Sequence, residues 1–253
     1  MIIYSDGCSL MSGNEHDSWT MNTSTGYEEC NSVWSAVLRD KHFSTAKLDS
    51  KATTGSSNFS IARRTVHYVN QLLKTHNANE IFVCIMWTSI YRKEYLTDKG
   101  YFTTLPTDNR LSLKGEPTGA LMDYSARKKL LEEYKLLDLS DVYYKTLHKQ
   151  NNFIFDSMVQ IEYVNLFLTH NKIKSIQCYG FGDHYTNTDD TFINDIQSRL
   201  QEYDIFYIDK LQPQGFYEWA NGSHKLGPGL HPLEGAHEMW ANLLAKKYLT
   251  SIT

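Results

Sequence analysis

The chain has 253 residues, 41% hydrophobic and 13% aromatic, enough to bury the core of one domain and too apolar for a disordered segment. Its 25 Lys and Arg against 29 Asp and Glu give a net charge of −4, with no long run of either sign, so the basic footprint of a nucleic-acid binder is absent. No apolar run reaches the length of a membrane span.

The opening "MIIYSDG" has neither the basic start nor the long apolar stretch of a signal peptide. "MIIYSD" reads as a first strand, ended by Gly7-Cys8-Ser9. That ending is either a plain turn or a serine held at the carboxyl end of a strand, where a nucleophile meets its substrate. Residues 10 to 31 are polar and rich in Gly, Ser and Asn, and predict a loop. "SVWSAVLRDK" predicts a short helix, and "STAKLDSKA" a short second strand ending near Gly55. From Ser56 to about His76, Ile61, Thr65, Tyr68, Val69, Leu72 and Leu73 recur at helical spacing. Ser56 or Ser57 is an ordinary cap for that helix.

"EIFVCIMW" is a continuous apolar run, as in a strand buried on both faces. Residues 91 to 125 are mixed in charge, contain Gly and Pro, and read as an inserted cap. "SARKKLLEEYKLL" and "FDSMVQIEYVNLFLTH" have helical period, "IKSIQCYGF" is a strand, and "DTFINDIQSRLQ" is a helix with an Asp start. "DIFYID" reads as a last strand, and "LEGAHEMWANLLAKKYL" as a closing amphipathic helix. Cys84 and Cys178 lie in apolar strands and predict buried thiols. With no C-x-x-C pair, a reducing, cytoplasmic setting is expected, in which the sequons at Asn22, Asn58 and Asn221 carry no weight.

Strands alternating with helices predict one α/β domain over residues 1–253. It is a three-layer α/β/α, flavodoxin-like arrangement with a parallel sheet of about five strands and a cap insertion at 91–125. Ligands in such folds sit beyond the carboxyl ends of the strands. The shortlist is therefore Gly7-Cys8-Ser9, "GSSN" at 55–58, Trp87-Thr88-Ser89, "GFGD" at 180–183 and "GPGLHP" before the last helix. His237 falls near the apolar face of that helix, which favours a packed core histidine. "GFGDHYTNTDD" offers Asp183, His184, Asp189 and Asp190 to a metal, but such a run is more often a polar loop feeding a helix cap.

A strand-end Ser near the N-terminus, then Gly and Asn after the second strand, then "HP" before the C-terminal helix, resembles the SGNH hydrolase (GDSL-like esterase) superfamily in its order. "DGCSLMSG" looks like the family's first block, with Cys8 where its Asp usually stands. "HPLEGAHEMWA" is similar to its last block. "GCSLMSG", "GSSNFSIARRTVHYV" and "VCIMWTSIYRKE" together resemble an SGNH-like group common in bacteriophage genomes, which would place the protein in a host cytoplasm.

The resemblance implies a serine esterase that needs no metal or cofactor and acts on a small-molecule or glycan ester, an acetyl ester among them. It would touch neither nucleic acid nor membrane. Ser9 is the implied nucleophile and His231 its base. Gly55 and Asn58 are the implied oxyanion donors, with Thr88 a weaker one. The inserted segment itself reads either as a solvated loop or as a cap in which Arg92 clamps a carboxylate or phosphate and Tyr91, Tyr95, Tyr101 and Phe102 stack on a sugar or base, and Trp87 is a further substrate-facing candidate.

Two positions depart from the family. "WTSIYR" lacks the Asn of the block after the third strand. Pro228 stands where the family has Asp, three residues before His231. Either a backbone carbonyl orients His231, or a carboxylate from elsewhere does so, with Asp183 the strand-end candidate, or the site is a degenerate one kept for binding.

Overall fold

Strand alternation assigns each side chain of the central strand to one of two cores. In β5 (Ile81–Trp87) every residue is buried. Ile81, Val83, Ile85 and Trp87 enter one core, and Phe82, Cys84 and Met86 the other. The computed structural model describes residues 1–13, 15–22, 27–97, 100–104, 150–182, 190–208 and 214–249.

β1 (Ile2–Asp6) pairs in parallel with both β4 (Lys47–Ser50) and β5, and β5 pairs in parallel with β8 (Lys174–Tyr179). The sheet order is β4-β1-β5-β8. The order reverses between β1 and β5, so the crevice at their carboxyl ends is the expected ligand position. Helices α3 (Asn58–Leu72), α4 (Gln150–His170) and α5 (Thr191–Gln201) cover one face. Helices α2 (Trp34–His42), α6 (Phe216–Ser223) and α7 (Glu234–Tyr248) cover the other. This is the expected three-layer α/β/α arrangement.

The sheet has four strands among the described residues, against the expected count of about five. The run "DIFYID" contributes only a one-residue parallel bridge, Cys178 to Phe206, before Ile208 turns to bridge Gln214. Residues 10 to 31 are more than a loop. They hold the single turn α1 (Ser9–Ser12) and the hairpin of β2 (Thr20–Asn22) and β3 (Tyr27–Glu29). The segment expected to be an inserted cap begins with a second hairpin, β6 (Lys93–Thr97) with β7 (Gly100–Thr104). Its remainder, and the helix expected at "SARKKLLEEYKLL", lie outside the described residues. Among the described residues no helix is long and apolar enough to cross a membrane.

Cys84 and Cys178 are fully buried free thiols, and burial pushes both up from the ordinary thiol value. Trp87 is also fully buried, and its Nε1 donates to Gln177 Oε1 at 2.9 Å. It packs the core instead of facing a substrate, which corrects the expectation for that residue. Trp87→Ala is expected to cost about 3–5 kcal/mol of stability, read as a lowered denaturant midpoint.

Candidate active site

Ser9 is the first residue of α1, three residues past the end of β1, and is 4% exposed. Among the described residues its Oγ makes no hydrogen bond, and none joins it to the His231 ring. The turn after β4 lies alongside, where Ser12 Oγ meets Thr54 Oγ1 at 3.4 Å. Ser56 N donates to Thr53 O at 3.2 Å, and Gly55 sits at φ +83°, a region that favours glycine. Nothing lies within 4 Å of where a Gly55 Cβ would stand. Its backbone therefore borders open space at the strand ends.

Asn58 begins α3 behind the Ser57 cap, whose Oγ accepts from Ser60 N at 3.0 Å. The Asn58 amide is committed. Nδ2 donates to Thr88 O at 3.0 Å and to Ser157 Oγ at 2.5 Å, while Oδ1 accepts from Thr88 N at 2.8 Å. With both amide hydrogens engaged, Asn58 is a strut between the end of β5 and α4, and in this geometry it has no hydrogen left for an oxyanion. Thr88 is fully buried, and its Oγ1 has no partner among the described residues.

Arg92 reaches back to the same turn, donating from Nη1 to Ser56 O at 3.1 Å. Its guanidinium also lies 6.0 Å from the Phe181 ring centre. Arg92, Asn58, Glu94, Phe153 and Ser157 line a cavity of about 370 Å³.

His231 lies in a tight loop closed by Gly227 N on His231 O at 2.8 Å, with Leu230 at φ +66°. Its partner is Glu15, six residues after Ser9. Glu15 Oε1 is 2.9 Å from His231 Nδ1, and Oε2 accepts from His231 N at 3.4 Å. Both side chains are nearly buried, 9% and 7% exposed. A Cβ on Gly227 would lie 2.0 Å from Glu15 Oε2, so a side chain there would displace the carboxylate from this position.

The next two residues fasten the same pair of loops. His16 Nε2 meets Pro232 O at 3.0 Å, and Asp17 N donates to Glu234 Oε1 at 3.2 Å. A carboxylate accepts, so Glu15 fixes the His231 proton on Nδ1 and leaves Nε2 free to take one. Glu15 thus stands where a carboxylate from elsewhere was sought. Asp183, the expected candidate, lies outside the described residues. So does most of the metal alternative, and Asp190 caps α5 by accepting from Phe192 N and Ile193 N.

Glu15 was missed because it lies in a polar loop 216 residues from its partner. Its only sequence signal is a carboxylate just downstream of the nucleophile block.

His237 packs behind the site, fully buried, and its Nδ1 accepts from Trp34 N at 3.1 Å. Burial lowers its pKa well below the ordinary value, with His16 edge-on at 4.6 Å. A depressed histidine binds more protons unfolded than folded, so its contribution is present above about pH 6.5 and is lost as pH falls. His16 is shifted the opposite way: burial lowers its pKa, but its hydrogen-bond partners raise it by more. The expected result is therefore a difference between proteins: as pH falls from about 7 to 5 the melting temperature of His237→Gln should fall less than that of the wild type.

No protein-family model matches the chain, and no curated relative matches it. Solved structures do. A member of the lipolytic protein G-D-S-L family from Veillonella parvula is 12% identical, with 99% of this chain and 98% of that one covered at a TM-score of 0.45. A lipase from a goat rumen metagenome is 11% identical, with 98% of each chain covered at 0.46. A catalytic mutant of an acetylxylan esterase from Geobacillus stearothermophilus is 11% identical, with 97% and 92% covered at 0.42.

Proposed function

We propose that the chain is a serine ester hydrolase of the SGNH type, with Ser9 as nucleophile, His231 as general base and Glu15 as the acid that orients it. The observation that carries this reading is the Glu15–His231 contact at 2.9 Å, made from the segment that follows Ser9. Ser9 Oγ attacks the acyl carbon as His231 Nε2 takes the hydroxyl proton. His231 returns that proton to the leaving alcohol, and water then cleaves the acyl-enzyme by the same route. Glu15 holds Nδ1–H and stabilises the imidazolium as it forms.

The backbone N–H groups of Ser9 and Gly55 face the developing oxyanion. Thr88 is a weaker donor in this scheme, and Asn58 supports it indirectly by holding the end of β5. The acyl donor in this reading is a small-molecule or glycan ester. No step calls on a metal or an organic cofactor.

One observation favours a second reading. Ser9 Oγ has no hydrogen bond to His231 in this structure, as in a binding protein that keeps the fold without the chemistry. An unliganded hydrolase can also hold the pair apart until substrate closes the distance. Hydrolysis of p-nitrophenyl acetate and acetylated sugars separates the two. Turnover by the wild type that is lost in His231→Ala supports the hydrolase. No turnover by the wild type on a broad ester panel supports the binder.

A further inference from the structure

A buried ion pair stands directly behind the candidate site. Asp6 ends β1 with a side chain 0% exposed, and Arg64 from α3 is 13% exposed. Arg64 Nη2 donates to Asp6 Oδ1 at 2.6 Å and Nε to Oδ2 at 3.1 Å. Tyr4 OH and Gly7 N also donate to Asp6, at 2.8 and 2.7 Å. Burying two charges is costly and adds little net stability over an apolar pair. Stability alone is therefore a poor account of this choice of residues.

The guanidinium does a second thing that an apolar pair would not. Arg64 Nη2 also donates to Ser56 Oγ at 2.9 Å and lies 3.5 Å from Gly7 O. Gly7 O accepts from Thr53 N at 3.2 Å as well. One planar fork therefore joins the end of β1, three residues before Ser9, to the residue after Gly55.

We propose that Arg64 is a positioning residue that sets the separation of the Ser9 nucleophile from the Gly55 N–H by clamping Ser56 onto the end of β1. This rests on the roles given above to Ser9 and Gly55. Lysine cannot replace it, because a single ammonium lacks the fork needed to serve Asp6 from two sides and reach Ser56 as well. Arg92 Nη1 also holds the turn, donating to Ser56 O.

Arg64→Lys and Ser56→Ala break the clamp from its two ends. Ser56→Ala leaves the Asp6–Arg64 pair intact, so it stays informative if Arg64→Lys folds poorly. Two readouts are needed: hydrogen exchange at the Thr53 and Ser56 amides, and the rate at which a fluorophosphonate acylates Ser9, with kcat and KM for p-nitrophenyl acetate. We expect exchange at least ~10-fold faster in both variants. Acylation and kcat should fall about 10- to 100-fold at unchanged KM, less than the loss of a whole oxyanion donor. Ser56→Ala also removes the Ser56 Oγ donation to Thr53 O at 2.7 Å, so the double variant should be slower than either single one but by less than the product of their losses, because the Arg64–Ser56 link is shared.

Unchanged exchange in both variants overturns the clamp whatever the activity. Faster exchange with an unchanged acylation rate overturns its positioning role. A wild type that is not labelled at Ser9 overturns the hydrolase reading itself, and the clamp's catalytic role with it.

Discussion

Ser9→Ala is expected to remove ester hydrolysis almost entirely, by about 10⁶-fold in kcat, while the protein melts as before. Both halves follow from the same geometry. Ser9 Oγ has no hydrogen bond among the described residues, so its loss orphans no partner, and an alanine at the first position of a helix costs little. The chemistry loses its only attacking atom. A serine that merely shaped the turn would behave in the opposite way, with a lowered melting temperature and activity that tracks the folded fraction. Purified Ser9→Ala, assayed for turnover and for thermal unfolding in one buffer, distinguishes the two.

Glu15→Gln is expected to lower kcat by about 10⁴-fold with KM nearly unchanged. Glutamine fills the same space, but its amide can turn an N–H toward His231 Nδ1. The imidazole then carries its proton on Nε2 and cannot accept one from Ser9. The charge that stabilises the imidazolium is lost as well. Gly227→Ala should act in the same direction by a different route, since its Cβ would stand 2.0 Å from Glu15 Oε2 and must displace the carboxylate. A fall of about 10- to 100-fold is expected there, because a misplacement of about 1 Å costs on that order. Normal kcat in Glu15→Gln would remove Glu15 from the mechanism.

The layers of the fold were legible because they rest on period. "EIFVCIMW" could only be a two-faced strand, and the spacing of Ile61, Thr65 and Val69 placed α3 against one side of it. The helix α6 and the one-residue bridge at Phe206 were not legible. The first is short, and the second is decided by pairing with β8, which no local pattern encodes. At the site, the strand-end rule selected Ser9, Gly55 and His231, and the contact that the structure adds is that of His231 with Glu15, in the segment after Ser9. Trp87 and Asn58 were read as reaching outward because they flank strand ends. Burial of one and the paired amide of the other turn them inward. Glu15 and the Asp6–Arg64 clamp could not be read, because each depends on a contact between segments far apart in the chain.

The central claim is that Ser9, His231 and Glu15 act as one unit, and the most direct test is mass-spectrometric mapping of a fluorophosphonate adduct on the intact protein. The wild type should carry one adduct, on Ser9, and both His231→Ala and Glu15→Gln should label at least ~100-fold more slowly. An adduct on another residue, no adduct on the wild type, or labelling of Ser9 at an undiminished rate in the two variants would contradict the account.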